Sequence, residues 1–477
     1  MKFRLLSLVL IAALLLALTG CTAAVRLPAA DSPGSFAPPP GAKELSAAVQ
    51  QQLCDGGSLQ TRQYTLENGD TVQFGSFCVK TDLSSGAVLC TVTVPSGTLH
   101  LYTPGIGWQT LLLTEGVYSG TLLVIDSESL SWMAYLPQSW EMLENASRRY
   151  LDRGTLQVQA VEDGFALMLC APAISQNNTV DFTTVASSEP LLDWSYPGCE
   201  TLWSGYANSG DGRWCYDGYY WPAPDTYVPS GEQVYYRMTL PYLCRSFLGV
   251  ASVYRLADDL LPCMLDVMLQ QQNELGFFPT CSQSTWLWED YQITAGFYDS
   301  RFNNDLAEIL NGAWQRYHIA QFYTALEAYA AFFKSHAAEH HRETANGGWL
   351  VEDYYHPDGN LPTHTSLNHQ LAETLLLYHL SDTLSDATLT ELADRMLQAI
   401  SDTLPDWIRS SDFNLHYAVY PDGTFGGIDY PYLTYNDLYN LQTELISRRG
   451  SRDAGLDILM QAKKLWMDTN GITGYKQ

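Results

Sequence analysis

The sequence predicts a multidomain α+β protein, in which an N-terminal β-sandwich or β-barrel-like domain precedes a complete or partial α/α toroid. From residue 58 to residue 184, runs of Val, Thr, Tyr and Phe are broken at short intervals by turn residues, which is typical of strands. From residue 232 onward, apolar residues recur at helical spacing in successive segments that are joined by aromatic loops. Helical pairs in series indicate an (α/α)6-like barrel.

The first 21 residues predict export and lipid attachment. Lys2 and Arg4 precede an apolar run at 5–18, which is too short for a good membrane span. The run ends in Leu-Thr-Gly before Cys21, which resembles the lipobox of bacterial lipoproteins. We therefore expect the mature chain to be anchored through lipidated Cys21 on the outer face of the cell membrane.

Composition divides the 477-residue chain into five parts. They are the signal at 1–21, a Pro- and Gly-rich tether at 22–43, a β-rich domain at 44–190, an aromatic segment at 191–231 and the helical domain at 232–477. Within the β-rich part, residues 44–53 are expected to form a short helix. Within the helical part, residues 305–336 are expected to form two helices, with Asp305 as N-cap and a break near Gly312.

Charge and cysteine usage exclude several classes of function. The formal net charge of −27 repels nucleic acid and highly sulfated polysaccharide at long range. Aromatic content is 12%, with 13 Trp and 30 Tyr, which suits a neutral or weakly charged saccharide as partner. No group of cysteines or histidines has metal-ligand spacing, so we expect neither a metal nor another cofactor. The oligomeric state stays open.

Three stretches rich in acidic and aromatic residues lead into apolar helices, at 347–357, 366–372 and 429–438. In helical toroids the loops at helix ends line a common cleft, so these stretches are expected to converge. Carboxylates and phenols that face each other in a cleft can perform acid–base chemistry on sugars. For a single acidic residue, the alternative is a helix cap or a solvated loop.

Two further groups of residues are candidates for binding substrate. Trp214 and Trp221 lie in the aromatic segment, where flat rings on loops could stack on sugar faces. The alternative is that these rings fill the junction between two domains. Arg301 and Arg316 are candidates for holding an anionic group of the substrate.

Residues 347–449 resemble the C-terminal region of D-glucuronyl C5-epimerases. The resemblance rests on three motifs, which are Trp349 with Glu352-Asp353-Tyr354-Tyr355-His356-Pro357, Leu367-Asn368, and Asp429-Tyr430 followed by Asn436. The chain departs from the family in having His369 where the family has Gly, and in lacking a clear equivalent of an arginine before the last motif.

The resemblance implies removal of the proton at carbon 5 of a uronic acid in a polysaccharide and its return on the opposite face. It implies Glu352 or Asp353 as one catalytic partner, supported by Tyr354 or Tyr355, with Tyr430 as the opposing acid or base. The substrate-binding residues would be Trp349, Asn368, His369, Asp429 and Asn436.

The same architecture supports three other functions. A glycoside hydrolase would use two carboxylates of the cleft. A polysaccharide lyase would follow proton abstraction by β-elimination, and a glycan-binding lipoprotein would use the cleft without chemistry. Tyr430 could also be only a ring packed on a helix end.

Replacement of Cys21 by alanine is expected to release the protein from the membrane, because the lipobox cysteine carries the acyl chains. Fractionation of cells that express Cys21→Ala should move the protein to the soluble fraction. Unchanged membrane association of the variant would show that another feature anchors the chain.

Overall fold

Two β-sheets and a row of helical hairpins build the part of the chain that the structure describes, a computed structural model covering residues 38–83, 86–208 and 212–477. This confirms a mixed architecture in which β-structure precedes helices. The predicted signal with Cys21 and the tether up to residue 37 lie outside the described residues.

The region predicted to be β-rich contains thirteen strands among its described residues. They are β1 Ala47–Cys54, β2 Gly57–Thr65, β3 Thr71–Val79, β4 Val88–Val94, β5 Thr98–Thr103, β6 Gly107–Leu112, β7 Gly116–Tyr118, β8 Leu122–Asp126, β9 Ser131–Met142, β10 Ser147–Arg153, β11 Thr155–Val161, β12 Gly164–Cys170 and β13 Asn178–Ser187. Further along the chain come β14 Arg213–Cys215, β15 Gly218–Pro222, β16 Tyr227–Val228 and β17 Val234–Arg237.

Sixteen of these strands form a 12-stranded antiparallel sheet and a four-stranded one, and β16 pairs separately with residues Gln283–Ser284. The large sheet has the order β1-β2-β3-β13-β9-β10-β17-β15-β14, with β8, β5 and β6 continuing from β9. The small sheet has the order β4-β12-β11-β7. The aromatic segment therefore does not act as a free linker, because its strands β14 and β15 extend the large sheet.

Alternation along β9 shows how the large sheet is buried on both faces. Trp132, Ala134 and Leu136 share a core with residues of the small sheet, whereas Met133 and Tyr135 share a core with the helices. Successive side chains of a strand point to opposite faces, so one strand can supply both cores. The large sheet thus lies between the small sheet and the helical part.

The expected short helix at 44–53 is wrong, because these residues form strand β1 at the edge of the large sheet. The pairing of Cys54 with Gly57 leaves Asp55 and Gly56 as the turn, and Gly56 has φ +82°. Asp-Gly is a strong hairpin signal because both positions tolerate positive φ. The backbone of this segment is therefore satisfied by pairing with β2.

Eleven helices are present among the described residues. They are α1 Cys199–Asn208, α2 Tyr242–Val250, α3 Arg255–Leu269, α4 Thr285–Tyr291, α5 Ser300–Tyr317, α6 Ala320–Glu339, α7 Leu367–Leu384, α8 Ala387–Asp402, α9 Leu404–Trp407, α10 Leu433–Arg449 and α11 Ala454–Thr469. None of these helices combines the length and apolarity that a membrane crossing requires.

Four helical hairpins form the row, namely α2–α3, α5–α6, α7–α8 and α10–α11. Their first helices pack side by side in the order α2, α5, α7, α10, and their second helices pack in the order α3, α6, α8, α11. The described residues thus form a four-hairpin α/α arrangement, which corresponds to the partial form of the predicted toroid.

The helices expected at 305–336 start earlier and break later than predicted. Asp299 is the N-cap of α5 and accepts a hydrogen bond from the Phe302 amide at 3.0 Å. Helix α5 ends at His318, which has φ +54°, and it runs through Gly312 without a break. A Cβ at Gly312 would lie 2.6 Å from a methyl carbon of Leu248, so this glycine allows close packing of α5 on α2.

Short strands in the connections between hairpins complete the fold. They are β18 Gln283–Ser284, β19 Tyr298–Asp299, β20 His341–Glu343, β21 Trp349–Val351, β22 Tyr354–Tyr355, β23 Thr365–Ser366, β24 His416–Val419 and β25 Phe425–Ile428. The β20–β21 hairpin packs on α8, and a Cβ at Gly348 would lie 2.3 Å from the backbone nitrogen of Ala399.

Gly348→Ala is expected to destabilise the protein by about 1–3 kcal/mol, because the added methyl would force the β20–β21 hairpin away from α8. Thermal denaturation would measure the change. The control is Gly249→Ala in α2, where a Cβ meets no atom within 4 Å. Equal melting temperatures for the two variants would contradict the close packing of this hairpin.

Candidate functional site

The connections that precede α5, α7 and α10 meet at the N-terminal ends of these helices. Strand β19 pairs with β22, and β23 pairs with β24, so each connection is bonded to the next. A chain of ring contacts follows the same path, from Tyr354 to His364 at 5.6 Å, to Tyr417 at 5.7 Å and to Tyr430 at 5.9 Å. The stretches that the sequence predicts to converge are therefore close together.

Asp353 lies at the centre of this region and is buried. Its two carboxylate oxygens each accept a hydrogen bond from the Ser366 amide at 3.0 Å, and the Ser366 hydroxyl donates a further bond. Burial raises the pKa of Asp353 well above its ordinary value, although the bonds from Ser366 lower it; the charges of Glu373 and Asp299 add to the rise. Burial therefore favours the protonated form of Asp353.

Two neutral histidines flank Asp353. His364 Nε2 lies 3.3 Å and His369 Nδ1 lies 3.5 Å from Asp353 Oδ2. Burial lowers the pKa of His364 to about 4, and burial together with the charge of Arg301 lowers the pKa of His369 well below its ordinary value. The Tyr291 hydroxyl lies 2.7 Å from His364 Nδ1, whereas His364 Nε2 makes no hydrogen bond with the described residues.

Asp299 and Glu373 complete a group of three buried carboxyls, which we call the acidic cluster: Asp299, Asp353 and Glu373. Burial raises the pKa of Asp299 to about 7, against hydrogen bonds from the first amides of α5 that lower it. Burial raises the pKa of Glu373 to about 8, against a hydrogen bond from Ser300. Both groups exchange protons near neutral pH.

Ser300 joins the cluster to the first turn of α7. Its hydroxyl lies 2.8 Å from His369 Nδ1, and its amide donates to the Asp353 carbonyl at 3.0 Å. His369 and Asn368, both predicted to bind substrate, sit in this first turn and are buried. The Oδ1 atom of Asn368 has no hydrogen-bond partner among the described residues.

Arg301 borders the cluster, but its charge is already balanced. Nη1 lies 2.7 Å from Asp437 Oδ2, and Nε lies 3.1 Å from Asp305 Oδ2. Nη1 also donates to the carbonyl of Asn368 at 3.3 Å. The predicted role of Arg301, binding an anionic substrate group, would require it to exchange one of these carboxylates.

Tyr430 is the exposed member of the site, with 46% of its surface accessible. Partial burial raises its pKa, and the charge of Asp299 raises it further while that of Arg301 lowers it. The phenol is therefore protonated at neutral pH and can donate a proton. Its neighbour Asp429 is buried in an ion pair with Lys463 at 2.6 Å, and Lys463 donates to the Tyr430 carbonyl at 2.7 Å.

Glu352 and Tyr355 lie outside the acidic cluster. A Glu352 oxygen accepts the Thr363 amide at 3.0 Å, and the Tyr355 ring packs on His336 and His340 at 5.7 and 5.0 Å. Glu352 thus bonds to Thr363, whereas Asp353 bonds to Ser366, and the two carboxyls do not share a partner. Tyr354, in contrast, is buried against His364 and His369.

Three predicted substrate-binding residues lie elsewhere. Trp349 is enclosed between the His341 ring at 4.0 Å and the Arg395 guanidinium at 4.7 Å, because the β20–β21 hairpin turns back onto α8. Asn436 accepts the amide of Lys476 near the C-terminus. Arg316 lies in the last turn of α5, at the opposite end from the acidic cluster, and pairs with Asp258 at 2.8 Å.

Trp214 and Trp221 line a cavity of about 400 Å³. Trp221 contacts the ring of Tyr242 at 4.9 Å, and Tyr242 opens α2. Charges of Asp305, Arg245, Arg301 and Asp299 all influence the pKa of Tyr242, which burial raises. Trp221 is thus linked through Tyr242 to the region of the cluster, and both tryptophans are packed against other rings.

Sequence reasoning missed Asp299, Ser300 and Glu373. The run Tyr298-Asp299-Ser300 is an aromatic and acidic stretch that leads into an apolar helix, which is the pattern of the three stretches that were recognised. Glu373 follows His369 by one helical turn and so lies on the same face of α7. No group of three or more His, Cys, Asp or Glu among the described residues could hold a metal ion.

No family model matches this sequence, and no curated protein matches it. The solved structures that are similar include D-mannose isomerase, with 13% identity, 48% of this chain and 59% of that chain covered, and a TM-score of 0.35. A cellobiose 2-epimerase from Spirochaeta thermophila shows 14% identity over 48% of this chain and 57% of that chain, with a TM-score of 0.37. A family 76 glycoside hydrolase from a bovine Bacteroides thetaiotaomicron strain shows 11% identity over 89% and 78%, with a TM-score of 0.37. The chain thus spans less than two thirds of the first two of these proteins, and similarity at this level leaves its activity to be inferred from its own site.

Glu373→Gln is expected to become progressively more stable relative to the wild type as pH rises from about 4.5 to about 8. In that window the unfolded chain releases the Glu373 proton while the folded chain, with a pKa of about 8, keeps it. Ionisation therefore favours the unfolded wild type, and glutamine removes that cost. Melting temperatures across pH would measure this, with Glu391→Gln on the exposed surface of α8 as control. A pH-independent difference would contradict the burial of an ionisable Glu373.

Proposed function

We propose that the protein is a saccharide-modifying enzyme that works by acid–base proton transfer at the N-terminal ends of α5, α7 and α10. The observation that supports this proposal is the acidic cluster, to which the connections before α5 and α7 supply Asp299 and Asp353 and helix α7 supplies Glu373. The charges of Asp299 and Asp353 also act on the phenol of Tyr430, which is 46% exposed. Acid–base catalysis is most efficient when the pKa of the catalytic group lies near the working pH. Asp299, at about 7, and Glu373, at about 8, satisfy that condition.

The residues of the site take different roles in this proposal. Asp299 and Tyr430 transfer protons to and from the sugar, and Asp353 supplies a buried acid behind them. Tyr354, Asn368 and His369 form the wall that orients the substrate. Asp429 acts through its ion pair with Lys463, which fixes the backbone at Tyr430.

The charge of the site favours hydrolysis of a neutral or weakly charged glycan. Hydrolysis needs one carboxyl that holds a proton and a second that is ionised, and closely spaced buried carboxyls can be held in unequal states. Hydrolysis of a neutral glycan does not require a positively charged side chain to bind the substrate. The pairing of Arg301 with two carboxylates, and the formal charge of −27, both disfavour a strongly anionic substrate.

A uronate C5-epimerase is the second candidate, favoured by the position of Tyr430. The resemblance implies a tyrosine at this position as the acid or base that faces a carboxyl across the sugar. The reaction also needs a positive group near the substrate carboxylate. Arg301 would supply it if the substrate carboxylate replaced Asp437 or Asp305 in its ion pair. A polysaccharide lyase would also abstract the proton at carbon 5 and would then cleave the chain by β-elimination.

We also propose that the enzyme works outside the cytoplasm as a lipid-anchored protein, held through Cys21. A glycan at the cell surface would then be its substrate, and neither nucleic acid nor a cofactor enters the reaction. The lipobox and the tether that follows it support this placement.

One set of incubations in heavy water tests the proposed function, using neutral and uronic-acid polysaccharides. Hydrolysis should raise reducing ends, epimerisation should place deuterium at carbon 5 with unchanged chain length, and elimination should produce an unsaturated chromophore. Asp299→Asn should lower the rate by about 10²-fold or more, the usual size of an acid–base contribution. It should also change the limb of the pH profile near pH 7, where Asp299 loses its proton.

Matched variants control for general damage in these incubations. Asp358→Asn replaces a carboxylate whose side chain is 93% exposed, and Tyr432→Phe replaces an exposed phenol two residues from Tyr430. Both should retain full activity, whereas Tyr430→Phe should abolish deuterium uptake if the epimerase reading holds. Absence of all three products with every polymer would remove the enzymatic proposal.

A further inference from the structure

An aromatic cavity of about 400 Å³ lies between α1, the β14–β15 hairpin and the N-terminal part of α2. We call it the aromatic cavity, and its ring-bearing walls include Tyr206, Trp214, Tyr219, Trp221, Tyr242 and Phe247. The described lining residues include no Asp, Glu, Lys, Arg or His. Its volume falls in the range of small-ligand sites, roughly 300–1,000 Å³.

Two buried polar atoms on its walls lack hydrogen-bond partners. The Tyr206 hydroxyl and the Trp214 indole nitrogen make no hydrogen bond with the described residues, and the residues are only 6% and 5% exposed. An unsatisfied buried donor costs about 1–3 kcal/mol. Both residues line the cavity, and both groups can donate, so a complementary ligand carries oxygen acceptors.

We propose that the aromatic cavity is a saccharide subsite that holds one neutral sugar residue of the substrate. The pyranose ring would pack its apolar face on the aromatic wall, and its oxygens would accept from Tyr206 and Trp214. An uncharged wall excludes a uronate or sulfated residue, because burying an unpaired anion there would be costly. This inference rests on the proposed function for its substrate class, but it concerns a site separate from the acidic cluster.

Tyr242 connects the two sites. It lines the aromatic cavity, its ring contacts Trp221 at 4.9 Å, and it stands close enough to Asp299, Arg301 and Asp305 to feel their charges. A chain with one sugar at the cluster can therefore continue past Tyr242 into the cavity. The substrate would be an oligosaccharide or polysaccharide, and its binding strength would depend on residues beyond the one that reacts.

Gly205 offers a way to block the cavity without disturbing the fold. It lines the cavity from helix α1, and a Cβ there meets no atom within 4 Å. Gly205→Leu would place an isobutyl group in the space, and helical glycines are generally replaced without loss of stability. Gly249→Leu is the matched control, because Gly249 is also a helical glycine with open space around its Cβ and does not line the cavity.

Calorimetric titration with cellotetraose, mannotetraose, xylotetraose and tetragalacturonate would test the subsite. At least one neutral tetrasaccharide should bind the full chain and Gly249→Leu equally, and Gly205→Leu at least 10-fold more weakly. Tyr206→Phe, which keeps the ring, should weaken binding about five-fold, the share of one hydrogen bond. Tetragalacturonate should bind no better to the wild type than to Gly205→Leu.

The outcomes separate the subsite from the proposed enzyme. Equal affinity of the wild type, Gly205→Leu and Tyr206→Phe for every tetrasaccharide, or no binding to the wild type, would overturn the subsite. Turnover with unchanged KM in Gly205→Leu would also overturn it while leaving the enzyme intact. Selective loss of binding in Gly205→Leu, without turnover by any form of the protein, would support the subsite and remove the enzyme.

Discussion

The hydrogen bonds of Asp353 are the constraint on which the site depends. Its carboxylate accepts from Ser366 at the start of α7, its carbonyl accepts from the amide of Ser300 at the start of α5, and its own amide donates to the His364 carbonyl. One buried residue therefore ties the beginnings of two neighbouring helices to the connection between them. If Asp353 were lost, the acidic cluster would lose both a member and its geometry.

Burial has a larger effect on the charge of Asp299 than the helix N-terminus has, because burial disfavours the carboxylate that the helix amides stabilise. A helix N-terminus stabilises a nearby anion by about 0.3–1 kcal/mol, rising to about 2 kcal/mol where it is partly buried. One unit of pKa corresponds to about 1.4 kcal/mol. The pKa of Asp299 nonetheless stands at about 7 instead of 3.8, so the cost of removing its charge from water outweighs the amides that it caps. The Asp299 carboxyl thus both caps helix α5 and has a pKa near neutral pH.

The sequence predicts a helix end best where a single local signal determines it. The end of helix α10 shows such a signal, because Gly450 follows Arg449 directly and adopts φ +69°, a conformation that favours glycine. The start of α5 was missed because Asp305 and Asp299 are equally good caps by residue type, and only the pairing of β19 with β22 selects the earlier one. The site shows the same limit. Asp353 and Glu352 are neighbours with the same carboxyl chemistry, and the direction of each side chain is set in the connection between β21 and β22.

Contacts from distant parts of the chain explain the remaining differences. Trp349 carries the right chemistry for sugar stacking, but His341 and Arg395 occupy both of its faces. No local pattern reveals that occupation, because it arises from the packing of a hairpin on α8.

The four-hairpin row gives the aromatic segment a structural task as well as a ligand-binding one. A hairpin at the end of a row has one side without a helical neighbour, and at α2 that side is covered by α1 through the contact of Trp203 with Phe247 at 5.5 Å. Strands β14 and β15 then join this cover to the large sheet. Rings that seal a helical row must be large, apolar and rigid, and these are also the properties that suit a sugar face. The aromatic segment can therefore both fill the junction between the domains and bind a sugar. The rings that face α2 close the helical core, and those that face the cavity remain available to a ligand.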